Sequence, residues 1–197
     1  MTSLTPVTLT GPTITLEPLA ADHHDGLVDA VSDGDLWNLW YTSVPTPEGM
    51  AAEIHRRLAL QEQGSMLPFA LRRNDSGRIL GMTTYCNIDV DTPRVEIGYT
   101  WNRASVQGTG SNPESKLLLL SHAFEQLGCT AVEFRTHWMN QQSRAAIARL
   151  GAKQDGVLRA HRWGPDGSLR DTVVFSIIAA EWPMVKAGLQ HRVGKIR

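Results

Sequence analysis

Two glycines stand close together in the stretch Gln107–Pro113, directly before a segment with helical spacing. Because glycine has no Cβ, Gly108 and Gly110 would let a phosphate group approach the backbone closely. The first amides of a helix have no partner within the helix, and they lie at the positive end of its dipole. The stretch therefore indicates an anion-binding turn, or else a loop that only joins a strand to a helix.

The same stretch lacks the marks of two other phosphate-binding turns. No Gly-Lys-Ser or Gly-Lys-Thr follows the glycines, so the turn is not a P-loop. A dinucleotide-binding turn would need a third glycine where the chain has Pro113. Proline fits the first turn of a helix instead, where its missing N–H costs nothing.

The turn must be positioned by helices and strands that the sequence predicts in the order β-α-α-β-β-β-α-β-α-β-β. Apolar residues at helical spacing predict helices, and alternation of polar and apolar residues predicts strands. The predicted helices cover residues 21–33, 47–63, 113–127 and 141–150. The predicted strands cover residues 13–19, 67–73, 78–89, 94–101, 131–137, 157–163 and 171–178. The fold class is α/β (α+β), with a mixed central sheet of about seven strands and four helices.

Two connections constrain the topology of this sheet. Three consecutive strands over residues 67–101 predict antiparallel pairing, and the strand–helix–strand run over 94–137 predicts a right-handed parallel crossover. One domain over residues 13–182 contains all of these elements. It leaves an N-terminal extension at 1–12 and a C-terminal tail at 183–197, whose basic end is expected to be solvated.

Composition argues against several classes of partner. The 197 residues are 42% hydrophobic and 20% charged, which is typical of a globular domain. The formal net charge of -1 gives no indication of a nucleic-acid or membrane-surface binder. The chain shows no signal-peptide pattern and no apolar run of membrane-spanning length, so a cytoplasmic location is expected. Cys86 and Cys129 lack zinc-ligand spacing and are expected to be buried reduced thiols.

Four short motifs lie on the predicted elements in a definite order. They are Val95–Tyr99 on the strand before the turn, Gln107–Asn112 in the turn, Asn140–Arg144 with Leu150–Ala152, and Arg170–Ser176 with Glu181–Trp182. Together they resemble the GNAT superfamily of acetyltransferases, and more closely its branch of ribosomal-protein N-terminal (alanine) acetyltransferases. The turn is similar to the family's Arg/Gln-x-x-Gly-x-Gly/Ala, with Asn112 in place of the usual small residue.

The resemblance implies the GNAT fold, with acetyl-CoA (coenzyme A) as cosubstrate and no metal. In that family pantetheine lies between two splayed strands beside the turn. Main-chain groups of Ile97, Gly98 and Tyr99 are thereby implied to bind pantetheine. Asn140 is implied to bond the arm of the cofactor, and Arg144 to meet a nucleotide phosphate. The pyrophosphate is implied to lie on the amides of Gln107, Gly108, Thr109, Gly110, Ser111 and Asn112.

The resemblance also implies direct attack of a neutral amine on the acyl-CoA carbonyl. Alkyl amines are mostly protonated at neutral pH, so a base is useful. Glu96 is the candidate base, and the alternative is a structural carboxylate paired with Arg94 or Arg103. Ser143 stands where many relatives have a tyrosine, so it would donate a proton to the leaving thiolate or hold the sulfur. Its alternative role is to cap the following helix.

The acceptor site is expected near residues 34–47. Trp40 and Tyr41 are candidates to wall an acceptor pocket, whereas Trp37 is expected in the core. Glu96 and His137 complete the predicted acceptor site, with His137 as a second candidate for proton handling.

Three functions remain open from the sequence. The leading prediction is an N-acyltransferase that binds acyl-CoA and an amine, either a protein N-terminus or a small molecule. The alternatives are a non-catalytic module that binds acyl-CoA and a scaffold that binds none, because fold does not fix function. The identity of the acyl group is left open, as is a homodimer.

Overall fold

The computed structural model describes residues 4–164 and 166–195, which form one mixed sheet flanked by helices. The strands are β1 (Leu9–Thr10), β2 (Ile14–Pro18), β3 (Met66–Arg73), β4 (Ile79–Asp89), β5 (Arg94–Asn102), β6 (Ala131–His137), β7 (Lys153–Trp163) and β8 (Leu169–Ile178). The helices are α1 (His24–Val31), α2 (Met50–Glu62), α3 (Ser111–Ser121), α4 (Gln141–Ala148) and α5 (Trp182–Gly194). None of the helices in these described ranges is long and apolar enough to cross a membrane.

The sheet has the order β1-β2-β3-β4-β5-β6-β8-β7. Strands β2 to β5 form an antiparallel meander, and β5 pairs in parallel with β6 after the α3 crossover. Strand β8 inserts between β6 and β7 and is antiparallel to both. The mixed fold and the predicted order of central elements are therefore confirmed.

The counts of seven strands and four helices are slightly wrong, because the described residues form eight strands and five helices. Strand β1 lies in the predicted extension 1–12 and has two residues, too few to show alternation. Helix α5 occupies most of the predicted tail 183–197, and its Val185 and Leu189 are buried. Its first residue, Trp182, stacks on Phe124 with ring centroids 5.3 Å apart. The predicted tail is thus a packed helix up to residue 194, and residues 196 and 197 lie outside the described part.

The two faces of the sheet are packed differently. One face carries the larger apolar core, in which residues of β2–β6 and β8 contact α3, α4 and α5. The other face carries a smaller core beneath α1 and α2. Along β6, Val132 and Phe134 belong to the larger core, so Glu133 and Arg135 project from the opposite face. Glu133 and Arg135 therefore lie on the side of the sheet away from α3 and α5.

Glu114 fixes the start of α3 against the sheet. Its carboxylate is buried and accepts hydrogen bonds from the backbone N–H groups of Thr13 at 2.8 Å and Ile14 at 3.2 Å. The Thr13 hydroxyl donates to the same carboxylate. Because Glu114 lies in the first turn of α3, these bonds also fix the position of the glycine turn that precedes the helix.

Both cysteines are buried thiols, as predicted. Burial raises the pKa of the Cys129 thiol to about 11, and it raises the pKa of Cys86 still further. Both side chains therefore stay protonated at neutral pH and belong to the core rather than to a reactive site.

Replacing Glu114 should destabilise the fold. In Glu114→Ala the buried N–H groups of Thr13 and Ile14 lose their acceptor, and we expect the free energy of unfolding to fall by at least about 2 kcal/mol. Urea denaturation followed by circular dichroism measures this change. The control Glu62→Ala removes an exposed carboxylate at the end of α2 and should change stability by less than about 0.5 kcal/mol. Equal effects of the two changes would contradict the anchoring role of Glu114.

Candidate active site

Strands β5 and β6 run side by side only briefly and then separate. Their pairing joins Arg94–Glu96 to Ala131–Glu133. Beyond it, Ile97–Asn102 of β5 and Phe134–His137 of β6 continue without pairing to each other. Facing strand edges that do not pair expose backbone N–H and C=O groups. The gap can therefore receive an extended ligand, which would lie between the strands.

A β-bulge in β5 accounts for the separation. Tyr99 and Thr100 of β5 lie opposite one residue of β4, Thr83. Tyr99 has a φ of 50°, in the left-handed region that residues with side chains seldom adopt. A bulge bends its strand and increases its twist, so the end of β5 turns away from β6.

Arg57 of α2 holds this bulge in place. Its side chain is 1% exposed, and it donates to the carbonyl oxygen of Tyr99 at 3.2 Å and to Thr84 Oγ1 at 2.7 Å. Glu53, one helical turn earlier, accepts from Arg57 Nε at 2.7 Å and neutralises the buried charge. A left-handed residue costs about 1–3 kcal/mol, which these hydrogen bonds help to offset.

The glycine turn has the backbone geometry that an anion site needs. Gly108 and Gly110 have φ values of 81° and 99°, in the region that favours glycine. Gly110 is the N-cap residue of α3, and no side chain caps this helix. The first amides of α3 are therefore available to a ligand.

Four of the six turn residues predicted to hold pyrophosphate line the gap between β5 and β6, namely Gln107, Gly108, Gly110 and Asn112. The other two residues, Thr109 and Ser111, use their hydroxyl groups inside the turn. Thr109 Oγ1 donates to the carbonyl oxygen of Val106 at 2.7 Å, and Ser111 Oγ donates to the same oxygen at 3.4 Å. Thr109 and Ser111 thus shape the turn. The Thr109 amide also donates to the Val106 carbonyl oxygen at 3.3 Å, so of these two residues only Ser111 keeps an amide for a ligand.

The gap opens into a cleft of about 560 Å³, within the usual size range of small-molecule sites. Its walls are the end of β5, the glycine turn, the end of β6 and the exposed side of α4. Ile97, Gly98 and Tyr99 line it, as the sequence predicted. We refer to this space as the main cleft.

Asn140 and Ser143 line the main cleft from α4. Asn140 is the N-cap of that helix, and its Oδ1 accepts the backbone N–H of Ser143 at 2.9 Å. The alternative prediction that Ser143 caps the helix is therefore wrong. Since Asn140 uses its oxygen for the cap, its amide nitrogen and the Ser143 hydroxyl are the side-chain groups left for a ligand.

The basic residues at the main cleft differ from the prediction. Arg144 does not line it: its guanidinium lies 4.2 Å from the centroid of the Trp138 ring and donates to the Trp138 carbonyl oxygen. Arg149 and Arg192 line the cleft instead, and Arg192 Nη1 donates to the Arg149 carbonyl oxygen at 2.7 Å. Lys116 of α3 also lines it, and burial lowers the pKa of its ammonium to about 7. Arg149 and Arg192 thus give the cleft a positive lining, to which Lys116 adds a partly protonated ammonium at neutral pH.

Glu96 is the last residue of β5 that pairs with β6, and its side chain is 7% exposed. Asn87 donates from Nδ2 to Glu96 Oε2 at 2.6 Å, and Arg135 Nε lies 3.4 Å from the same oxygen. The predicted alternative partners, Arg94 and Arg103, are wrong, because each pairs with a different carboxylate. Burial raises the pKa of Glu96, although the Asn87 hydrogen bond and the charge of Arg135 oppose this shift.

The Glu96 carboxylate lies against the backbone of the main cleft without lining it. A Cβ placed on Gly98, which does line the cleft, would lie 2.9 Å from Glu96 Oε1. A side chain at position 98 would therefore displace the carboxylate. A raised carboxylate pKa next to a cleft suits a general base.

A second cavity of about 340 Å³ adjoins the main cleft, and we call it the side cavity. Trp40 lines the side cavity, and Tyr41 and His137 line both spaces. The Trp40 ring packs edge-on against His137 with centroids 5.2 Å apart. Trp37 packs against the smaller core, as predicted. The structure therefore brings Trp40, Tyr41 and His137 together.

His137 is poorly suited to accept a proton. Its Nδ1 accepts the backbone N–H of Met139 at 3.0 Å, so the neutral ring carries its hydrogen on Nε2. Burial, and then the charge of Arg170, lower the pKa of His137. At neutral pH the ring is therefore a hydrogen-bond donor at Nε2 and part of the wall of both the main cleft and the side cavity.

The open strand pair, the glycine turn and the uncapped helix together suit an extended ligand that carries phosphate groups. The family model described as the acetyltransferase (GNAT) domain matches residues 13–153, which is most of the chain. The chain belongs to the GNAT acetyltransferases.

Relatives and solved structures agree with this assignment. YdaF of Bacillus subtilis (strain 168), provisionally named a ribosomal N-acetyltransferase, is 30% identical over 54% of this chain and 57% of its own length. A GCN5-related N-acetyltransferase from Brucella melitensis superposes with a TM-score of 0.87 and 27% identity, over 96% of this chain and 86% of the other. Mycobacterium smegmatis RimJ in complex with CoA-disulfide shares the fold, with a TM-score of 0.78, 24% identity and coverage of 96% and 94%.

Removing Arg57 should cost stability and weaken the main cleft together. Arg57→Met leaves Glu53 with Arg56 as its partner but takes the donor away from the Tyr99 carbonyl and the buried Thr84 hydroxyl, so we expect a loss of about 2–3 kcal/mol in the free energy of unfolding. Arg56→Met is the matched control, because Arg56 also bonds Glu53 but is far more exposed. It should cost less than about 1 kcal/mol. Urea unfolding of both variants measures the difference, and similar losses would rule out the role assigned to Arg57.

Proposed function

We propose that the chain is an N-acetyltransferase that moves an acetyl group from acetyl-CoA to an amine. The observation that supports this most is the opening between β5 and β6, which lies between the uncapped start of α3 and the buried carboxylate of Glu96. Family membership supports the choice of donor, because use of acetyl-CoA is general among GNAT enzymes.

The main cleft fits the chemistry of CoA. Its free strand edges suit the amides of pantetheine, and the amides at Gly108 and Gly110 suit a pyrophosphate. Arg149 and Arg192 are proposed to bind the remaining phosphate charge in place of Arg144. Asn140 would bond the pantetheine arm through its free amide nitrogen.

The proposed reaction is one direct transfer. The neutral amine nitrogen attacks the thioester carbonyl carbon, a C–N bond forms and the C–S bond to CoA breaks. Glu96 takes the proton of the amine, directly or through a water. The CoA thiolate takes a proton from Ser143 or from solvent; its reference pKa of about 8.5 means that a weak acid is enough. A backbone N–H at Ile97–Tyr99 would stabilise the developing oxyanion by about 3–4 kcal/mol.

One observation supports a non-catalytic acyl-CoA-binding module as the second candidate. Within the described chain, Glu96 lines neither the main cleft nor the side cavity. Its Oε2 atom is already contacted by Asn87 and Arg135. A purely structural Glu96 would leave the cleft without a base. The two candidates share CoA binding and differ in turnover.

CoA binding should depend on the open space at Gly108. A ligand at 100 times its dissociation constant adds about 2.7 kcal/mol of stability, or roughly 5–10 °C in melting temperature for a domain of this size. We expect that rise for the wild type with CoA or acetyl-CoA, and at least about tenfold weaker binding by Gly108→Ala, whose methyl group would occupy phosphate space.

Gly64→Ala is the matched control for that variant. Both glycines have positive φ values, 81° and 72°, and a Cβ on either meets nothing within 4 Å, but Gly64 lies outside the main cleft. The two variants should lose similar stability without ligand. No melting shift of the wild type at millimolar CoA would overturn the proposed function.

Glu96→Gln should abolish most of the turnover and keep CoA binding. Loss of a general base typically reduces kcat by about 10²–10⁴-fold. The wild-type kcat/KM should fall as pH drops through the raised pKa of Glu96, because a protonated base cannot accept the proton. This acidic limb should disappear in the variant.

The control is Glu133→Gln. Glu133 is the buried carboxylate of β6 that lies directly opposite Glu96 of β5. Full activity of Glu96→Gln would favour another base, and no turnover by the wild type despite CoA binding would favour the non-catalytic module.

A further inference from the structure

Two arginines face each other on the β7–β8 hairpin. Arg162 of β7 and Arg170 of β8 are direct cross-strand partners. Like charges at directly opposed positions destabilise a strand pair. The charges of both arginines act on Glu96, but Asn87 and Arg135 already occupy its Oε2, so the pair raises the question of what contacts the two guanidinium groups directly.

Neither arginine side chain forms an ion pair or a hydrogen bond within the described residues. Their neighbours are different: Arg135 pairs with Glu133, and Arg159 pairs with Asp171. The Nε atom of Arg170 is buried and has no hydrogen-bond partner. A buried donor without a partner is costly, so a ligand group that accepts a hydrogen bond from Arg170 Nε would stabilise the site.

Both arginines line the side cavity, and Arg170 also lines the main cleft. Their position is therefore at the junction where an acceptor would enter. Asp166 is the one carboxylate that lines the side cavity, and it accepts hydrogen bonds from the N–H and hydroxyl of Ser168 rather than pairing with either arginine. The neutral His137 adds an Nε2–H donor to the same cavity.

We infer that the acceptor is an amine that also carries an anionic group, a carboxylate or a phosphate, and that Arg162 and Arg170 bind this group in the side cavity. This inference rests on the proposed transfer to an amine. The planar guanidinium of Arg170 suits a two-point contact with an oxyanion. With the anion held there, the amine end of the same molecule reaches the junction with the main cleft. Polyamines and lysine-rich peptides are excluded by the same charge.

The test measures binding of acetylated products to the CoA-saturated protein by titration calorimetry. The first arm compares N-acetyl amino acids with their carboxamides, over small, polar and aromatic side chains. The second arm compares N-acetyl-O-phosphoethanolamine with N-acetylethanolamine. Hydrogen bonds to a charged group predict that the anionic member of a pair binds about 10–100-fold more tightly. The arm that shows this ratio identifies the anion.

Arg170→Gln should bring the ratio close to one, whereas Arg159→Gln should leave it unchanged. Arg159 is an exposed arginine of the neighbouring strand β7 that lines neither cavity, so it controls for net charge. Equal binding of anionic and neutral members in the wild type across both arms, or a preference that survives Arg170→Gln, would overturn the inference. A separate CoA titration reports on the proposed function, so failure of CoA binding is distinguished from failure of anion recognition.

Discussion

The active-site architecture depends on the left-handed backbone of Tyr99. This single residue bends β5, ends its pairing with β6 after three residue pairs and so creates the main cleft. Arg57 makes the bend tolerable by bonding the Tyr99 carbonyl from α2. Helix α2 therefore does more than cover the sheet. Through the buried guanidinium of Arg57 it also fixes the position of the end of β5. Without that contact the two strands would gain by continuing to pair.

A second bulge supports the chemistry on the other side of the cleft. Asn87 of β4 has a φ of 45°, which asparagine tolerates better than most residues, and its side chain bonds Glu96. From there a chain of alternating charges runs through Arg135 and Glu133 to Arg94. These groups share the face of the sheet that lacks the larger core, so a raised carboxylate pKa is achieved without disturbing apolar packing. Burial is the main cause of the raised pKa of Glu96, and the Asn87 hydrogen bond and the charge of Arg135 limit the rise.

Much of the fold could be predicted from sequence because its signals are local. The glycines at 108 and 110 marked the turn, alternation marked the central strands, and the motif around Glu96 placed the strand edge. Side-chain direction could not be predicted in the same way: Arg144 sits on the expected helix, but it turns to the Trp138 ring instead of the cleft. Arg192 was missed because the sequence pattern predicted a solvated tail where helix α5 lies. The buried residues Trp182, Val185 and Leu189 are too few to indicate a packed helix from sequence. Arg57 and Lys116 gave no signal, since buried cations are rare and their partners are distant in sequence.

The contact between Arg192 and the Arg149 carbonyl has a consequence for biosynthesis. The turn, both splayed strands and α4 are all made by residue 148, yet one wall of the main cleft comes from a residue 44 positions later. Strand β8, which separates β6 from β7, also arrives late. A nascent chain would therefore expose an unfinished sheet edge and an incomplete main cleft until residue 192 had left the ribosome. A ligand that needs the whole cleft could not assist the earlier stages of folding.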